Sequence, residues 1–178
     1  MKHIPLFFAA ISILLLAGCG SSTTTTAPTA ATAPAKTVYT APDNTFQIKA
    51  EGKIDITHED SVSSYTWDQE RTMVAVISEA FTPEEAAEFT PQKILDTTAS
   101  EVTNNLNPDS VVKTPMTYHG QPAFRIKGTI TQDNKDQYYD MIAVFEKNHG
   151  YRIGMNSLDP ISDAQAQAVY DSFSTLPQ

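Results

Sequence analysis

The sequence predicts an α+β domain in which an antiparallel sheet of about six to seven strands carries two to three packed helices. Short segments with apolar alternation are joined by short turns, and such links imply antiparallel pairing. Three further segments begin with helix-capping residues, at Thr82, Thr90 and Ser162. Helices set apart from runs of strands are typical of the α+β class.

The first strands are predicted between residues 46 and 81. Apolar and polar residues alternate in 46–50, and again in 54–56 after a Glu-Gly turn, which predicts two half-buried strands. We expect a loop at 61–64 before the alternating Tyr65 and Trp67. Segment 72–81, TMVAVISEAF, is apolar and β-branched and predicts a central strand.

Two helices are predicted next. The first begins at Thr82-Pro83 with a glutamate three residues after the cap. The second, from Gln92 to Leu106, carries one apolar stripe at spacings typical of an amphipathic helix, formed by Leu95, Ala99, Val102 and Leu106.

The second half of the chain predicts a meander and a closing helix. Segments 111–118, 123–130 and 138–145 are followed by the alternating Tyr151, Ile153 and Met155, with turns at His119-Gly120 and 148–150. Ser162 and Gln165 form a capping box for a helix that we expect to end near Ser174.

The N-terminus predicts a signal peptide over residues 1–18. A lysine is followed by a run of about 13 mostly apolar residues and by the small residues Ala17 and Gly18. This run is shorter than the ~20 residues of a membrane-spanning helix, which is the weaker interpretation. An ordinary signal peptide followed by a chance cysteine is the other alternative.

Leu16-Ala17-Gly18-Cys19 resembles the lipobox of bacterial lipoproteins. The resemblance implies cleavage between Gly18 and Cys19, a diacylglyceryl group on the Cys19 thiol, and a membrane lipid anchor in the cell envelope. Cys19 is the only cysteine, so it has no disulfide partner within the chain. In such lipoproteins the residue after the cysteine directs sorting between the two membranes of a Gram-negative host. Gly20 in this position favours the outer over the inner membrane.

Residues 19–36 are predicted to form a lipidated, disordered tether. They are rich in Ser, Thr, Ala and Pro and contain no aromatic or branched aliphatic residue that could build a core. Such a tether reaches roughly 25 Å as a coil. Residues 37–178 then form the single globular domain.

The charge limits the classes of partner. The formal net charge of −9 becomes more negative when Lys2 leaves with the signal peptide. An acidic chain repels phosphate backbones, which argues against nucleic acid as a partner.

The order of elements resembles the PsbP-like fold, which is shared by an extrinsic photosystem protein, the Ran-binding Mog-type proteins and many small bacterial lipoproteins. The likeness depends on the turn before Phe46, the strand Met73–Phe81 before the helix Gln92–Leu106, the strands 124–130 and 141–145, and the closing Tyr170-Asp171-Ser172-Phe173. It implies an α/β/α sandwich over residues 37–178, and no functional residue.

No metal, cofactor or catalytic site is predicted. His58, His119 and His149 lack ligand spacing, and we expect the last two in solvated turns. The acidic group Asp133, Asp136 and Asp140 lacks the glycine and closing glutamate of a calcium loop. No base stands in an arrangement that predicts nucleophilic catalysis, so we expect a protein that is not an enzyme.

Aromatic residues on the predicted strands are candidates for an interaction surface. Tyrosine is favoured at interfaces because one end of it is apolar and the other polar. Core packing is the competing interpretation, above all for Trp67. The candidates are Tyr65, Trp67, Tyr118, Tyr138, Tyr139 and Tyr151.

Two functions remain open from the sequence. The first is a tethered module that binds or assembles with an unknown envelope protein. The alternative is a carrier or sensor of an apolar small molecule, which requires a cavity of roughly 300 Å³ or more between sheet and helices.

Overall fold

Two antiparallel sheets pack face to face in the computed structural model, which describes residues 36–69, 71–88, 90–132 and 134–177. The strands are β1 Lys36–Thr40, β2 Phe46–Glu51, β3 Asp55–Glu59, β4 Val62–Gln69, β5 Thr72–Ala80, β6 Val112–Tyr118, β7 Gln121–Gln132, β8 Lys135–Glu146, β9 His149–Ser157 and β10 Phe173–Thr175. The helices are α1 Pro83–Glu88, α2 Pro91–Thr103, a 3₁₀ turn Pro108–Ser110, and α3 Asp163–Tyr170. The predicted signal peptide, Cys19 and the tether up to residue 35 lie outside the described residues.

The larger sheet has seven strands in the order β3-β4-β5-β9-β8-β7-β6. It joins two meanders, because β5 pairs antiparallel with β9 from Thr72↔Ser157 to Ala80↔His149. The hairpin between β6 and β7 turns at His119 and Gly120, both with positive φ, as a two-residue turn of type I′ requires. All pairings in this sheet are antiparallel.

One face of this sheet is covered by the second sheet, of order β1-β2-β10, and by α3. The contact is aromatic: Phe46 of β2 lies 5.1 Å from the Tyr65 ring and 5.3 Å from the Phe173 ring, centroid to centroid. Edge-on and tilted pairs of this kind contribute beyond the area that they bury. The layer therefore encloses the larger of the two hydrophobic clusters.

The opposite face is covered by α2, which lies over β7 and β8. Its apolar stripe, including Leu95 and Ala99, packs on Ile126 and Met141. The chain after the helix lies close to β7: a Cβ on Gly128 would stand only 2.7 Å from the Leu106 Cδ1 atom, so this position needs glycine. The helix begins at the predicted cap, where the Thr90 hydroxyl accepts from the Lys93 amide.

The predicted α+β class, with its antiparallel sheet and packed helices, is confirmed, and several element bounds need correction. The predicted loop at 61–64 is strand from Val62, and the predicted turn at 148–150 gives way to β9 from His149. The closing helix ends at Tyr170 because β10 follows and pairs with β2. The predicted strand around Ile56 exists as β3, but all five of its residues are exposed.

Candidate functional site

Half of one sheet face carries no helix in the part of the chain that the structure describes. Most contacts of α2 with the sheet fall on β7 and β8, and its residues Ile94, Leu95 and Thr98 also line a small cavity with Glu79 and Arg152. Beyond this corner, β3, β4 and the rest of β5 and β9 continue past the helix. We call this region the open half-face. It is the side of these strands that points away from the three-stranded sheet.

The register of the strands identifies the residues of the open half-face. Residues directly opposite each other on antiparallel strands point to the same side of a sheet. Four rows follow from the pairings: Glu59-Val62-Glu79-Gly150, Thr57-Ser64-Ile77-Arg152, Asp55-Thr66-Ala75-Gly154 and Asp68-Met73-Asn156.

The burial of β5 shows that only one of its faces is covered. Val74 and Val76 point toward the second sheet and are fully buried, whereas Met73, Ala75 and Ile77 on the open half-face are half-buried. Both sets are apolar, so the strand has the composition of a doubly buried strand with one side unoccupied. The centre of the open half-face is therefore an apolar patch.

Carboxylates surround this patch. Asp55, Glu59 and Asp68 are exposed at its β3 and β4 side, and Glu79 is half-buried at the end near α2. Arg152 carries the single positive charge that the four strands place on this half-face among the described residues. The rim of the patch is therefore acidic.

Glu79 lies at the join between the patch and the helices. Burial raises the pKa of its carboxyl group; Arg152 acts in the opposite direction, and Glu101 and Glu85 add to the rise. A half-buried carboxylate beside two others is stabilised by a cation brought next to it. The electrostatics of this corner thus favour a positively charged neighbour.

A second constellation, missed by sequence reasoning, lies on the covered face beneath α3. Asp140 has no exposed surface and accepts hydrogen bonds from Arg125 Nε at 2.9 Å, Arg125 Nη2 at 2.6 Å and the Tyr170 hydroxyl at 2.5 Å. Asp163, at the start of α3, accepts from Arg125 Nη2 and Lys127 Nζ, each at 2.8 Å. These ion pairs raise the pKa of Arg125 and lower that of Asp163.

This network holds both ends of α3 on the sheet. Tyr170 and Asp163 are the last and first residues of the helix, and both are bonded to the Asp140–Arg125 pair. The sequence showed only alternation in β7 and an acidic group that included Asp140. Because every charge has a partner inside the network, its arrangement explains the docking of a helix and offers no unoccupied ligand position.

The aromatic candidates do not form one surface. Tyr65, Trp67, Tyr118 and Tyr151 are 3–6% exposed and belong to the larger hydrophobic cluster. The prediction of an exposed surface is therefore wrong for these four, because the second sheet and α3 cover their face. Core packing of Trp67, the competing interpretation, is what the structure shows.

The remaining two candidates, Tyr138 and Tyr139, are half-buried and point to opposite sides of β8. Tyr139 shares a row with Asn156 and donates to the Met141 sulfur at 3.1 Å. It thus lies near one end of the open half-face, whereas Tyr138 lies on the other side of the sheet. The alternation of the sequence predicts that the two tyrosines point to opposite sides of the sheet, but it does not predict which side of the sheet is covered.

Tyr118 has a structural role that its position at the end of β6 explains. Its hydroxyl donates toward the carbonyl oxygens of Tyr170 and Phe173, at 2.7 and 2.8 Å. Burial raises the pKa of Tyr118, so the hydroxyl stays protonated. The residue fixes the chain between α3 and β10.

The histidines occupy three different environments. His58 is exposed with Nδ1 2.8 Å from the Ser63 hydroxyl, and His119 stacks on the Tyr118 ring. His149 lies in β9 with a mostly covered side chain, 3.8 Å from Asp43, and burial lowers its pKa. The expectation of a solvated turn is wrong for His149. Among the described residues, no group of three or more His, Cys, Asp or Glu is arranged to hold a metal ion.

The space between the sheet and α2 is small. A cavity of about 10 Å³ lies there, lined in part by Phe81, Leu95 and Arg152. A drug-sized ligand requires roughly 300 Å³ or more. This part of the interface is therefore packed too closely for the predicted apolar ligand.

None of the helices among the described residues is long and apolar enough to cross a membrane.

Comparisons with known proteins identify chains that share this fold. No protein-family model matches the chain, and no curated protein matches it. Among solved structures, LpqN of Mycobacterium tuberculosis, a protein involved in cell envelope biogenesis, matches with a TM-score of 0.51 and 13% identity over 80% of this chain and 91% of LpqN. Cyanobacterial PsbP (CyanoP) of Synechocystis matches with a TM-score of 0.52 and 8% identity over 90% of this chain and 99% of its own.

A protein from Bacteroides thetaiotaomicron matches with a TM-score of 0.53 and 9% identity over 81% of this chain. The match spans about half, 49%, of that longer protein. At these identities the likenesses bear on the fold alone. They show that the chain has the α+β architecture of PsbP-like proteins.

Proposed function

We propose that this protein is a lipid-anchored module of the cell envelope that binds another protein through the open half-face and has no enzymatic activity. The observation that carries the proposal is the one-sided burial of β5, where Met73, Ala75 and Ile77 remain half-buried although they have core composition. Contiguous apolar surface with a polar rim is typical of protein interaction sites.

The N-terminal sequence supports the location. The signal peptide, lipobox and tether would anchor the chain through Cys19 to a membrane of the cell envelope, with the domain roughly 25 Å from the lipid when the tether is a coil. LpqN, which shares the fold, is involved in cell envelope biogenesis. The acidic rim argues against the membrane surface itself as the occupant, because anionic headgroups repel it.

The anchor is tested by Cys19→Ala. Because two or three acyl chains hold a protein firmly and one chain only marginally, the variant should move from the membrane fraction to the soluble fraction. Cys19→Ala protein that still pellets with membranes would contradict the anchor. Ser21→Ala, in the same tether, is the matched control and should stay with the membranes.

The binding surface is tested by photocrosslinking in living cells. A photoreactive amino acid replaces Thr66, which is half-buried at the centre of the open half-face, or Ala168, which is exposed on α3 beyond the opposite side of the sheet. We expect a discrete crosslinked protein from position 66 and none from position 168. Equal capture from both positions, or none from position 66, would contradict the proposal.

Neither the cavity beneath α2 nor the groove on the outer side of this helix favours the alternative of a small-molecule carrier. The cavity beneath α2 that Phe81 and Leu95 line holds only about 10 Å³. A second groove of about 470 Å³ lies along the outer side of α2, beside Thr90, Lys93 and Ser100, but it is wide open to solvent and would bury little of a ligand. An apolar ligand would gain little there, because burial of apolar surface against apolar groups supplies its affinity.

A further inference from the structure

We propose that the partner presents a basic amphipathic helix, which lies beside α2 and covers the open half-face. This inference rests on the proposed function and specifies the chemistry of the partner. The dimensions of the patch, its hydrogen bonding and its charge support a helix of this kind.

The dimensions of the open half-face match one helix. Neighbouring strands are about 4.8 Å apart, so β4, β5 and β9 together are about 10 Å wide, which is the diameter of a helix with its side chains. From Glu79 to Met73 the rows extend about 20 Å along the strands, a length that roughly four helical turns span. α2 covers the neighbouring β7 and β8 in the same manner.

The hydrogen bonding excludes an added strand at the centre of the patch. β4 pairs with β3 and β5, and β5 pairs with β4 and β9. Their backbone groups are therefore used within the sheet, so an occupant must pack by side chains. Packing of an apolar helix stripe on a sheet face is the arrangement that already stabilises the α2 side.

The charge selects a basic helix. The rim carries four carboxylates, Asp55, Glu59, Asp68 and Glu79, against the guanidinium of Arg152. Asp55 is paired with Lys53, and Glu79 has Arg152 beside it, which leaves Glu59 and Asp68 to face the occupant. Lysine or arginine on the flanks of an apolar stripe would stand over them.

The same charges make a second copy of this chain an unfavourable occupant. Two open half-faces placed together would bring the acidic rims into contact, and like charges across an interface are unfavourable. Pairing of two β3 edges about Thr57 would set Asp55 opposite Glu59 on both sides of the two-fold axis.

The test uses the full lipidated chain in nanodiscs of phosphatidylcholine, with the photoreactive residue at position 66 or 168. The probe is a synthetic helix of about 16 residues, stapled, with leucines along one stripe and lysines on its flanks. Two matched peptides replace the lysines by glutamates or shuffle the leucines out of helical spacing. Crosslinking reports contact at one position, so attachment of a peptide to lipid does not contribute.

We expect the basic helix to crosslink at position 66 and not at position 168, and both matched peptides to crosslink at background. The double variant Glu59→Lys with Asp68→Lys should raise the peptide concentration needed for half-maximal crosslinking about tenfold. The reason is that two exposed attractions to the lysines of the peptide become repulsions. Asp136→Lys with Asp171→Lys, the same charge change at residues off the open half-face, should change it less than twofold. Circular dichroism of each variant confirms folding.

Equal crosslinking by the acidic or shuffled peptide, or an unchanged concentration in the Glu59/Asp68 variant, would overturn the helix inference. If position 66 still captures a protein in cells, only the nature of the contact element is wrong. If in-cell capture fails as well, the proposed function fails with it.

Discussion

The buried carboxylate of Asp140 should be the most sensitive polar group in the domain. Asp140→Asn keeps the size of the side chain but removes the charge that binds Arg125, and it leaves a single acceptor oxygen for the Arg125 Nε, Arg125 Nη2 and Tyr170 hydroxyl donors. Breaking a buried ion pair by removing one partner costs about 3–5 kcal/mol. Because Arg125 is 23% exposed and retains Asp163, we expect the lower end, a loss of about 3 kcal/mol.

Urea denaturation of the mature protein measures this loss. With a dependence of about 1–3 kcal/mol per molar urea, the midpoint should fall by roughly 1–3 M. Asp136→Asn is the matched control, since this residue lies in the same strand but is exposed and should change stability by less than about 0.5 kcal/mol. A loss below about 1 kcal/mol for Asp140→Asn, or one equal to that of the control, would refute the role of the network.

Three further predictions concern single side chains. Tyr118→Phe should lose about 1–2 kcal/mol in urea denaturation because two buried carbonyl oxygens lose their donor; an unchanged midpoint would contradict this. Glu79→Gln should raise the thermal midpoint of unfolding at pH 7. Folding raises the pKa of the Glu79 carboxyl group, so its charged form destabilises the folded protein and the neutral glutamine removes this cost. The gain in stability should vanish below the pKa that Glu79 has in the unfolded chain, where the carboxyl group is protonated in both states. A gain that grows as the pH falls would contradict it. Gly154→Ala should lower the thermal midpoint of unfolding, because the added Cβ would stand 2.5 Å from the Met141 Cβ atom. A midpoint equal to that of the wild type would show that β8 and β9 can shift apart at this position without cost.

The sequence predicted the elements with strong local signals. Thr90 and Ser162 cap helices where their spacing placed them, and the alternation of 123–130 and 138–145 became β7 and β8. Capping residues and apolar alternation depend on positions only a few residues apart, so these elements can be predicted without knowledge of the rest of the fold.

β1 and β10 were missed because their stability comes from residues far away in sequence. β10 has three residues and pairs with β2, more than a hundred residues earlier, while β1 continues a polar, threonine-rich stretch. Neither segment has an apolar period of its own. Non-local pairing of this kind leaves no trace in a short window of sequence.

The open half-face could not be predicted for a related reason. β5 is apolar on both sides, and that composition predicts a strand buried on both faces. Which side is covered depends on where α2 and the second sheet come to lie. The single local sign was Ser64 and Thr66, the polar residues that β4 places next to Ile77 and Ala75.

The burial of the aromatic residues shows the same limit. Period-two alternation places Tyr65 and Trp67 on one side of β4 but does not say that a second sheet lies there. The buried Asp140 was grouped with surface carboxylates, since its partner Arg125 stands fifteen residues away on the neighbouring strand.

Accessibility of the open half-face in the envelope tests the central claim most directly. Cys19 is the only cysteine of the chain and is proposed to be lipidated, so Thr66→Cys and Ala168→Cys each introduce one free thiol. The rate of labelling by a maleimide is compared between intact envelopes and purified protein, with the labelled site mapped by mass spectrometry. We expect position 66 to react at least about tenfold more slowly in the envelope, as a contact stabilised by about 1.4 kcal/mol or more would require, and position 168 to react equally in both. Equal rates at position 66 would contradict a partner on this face.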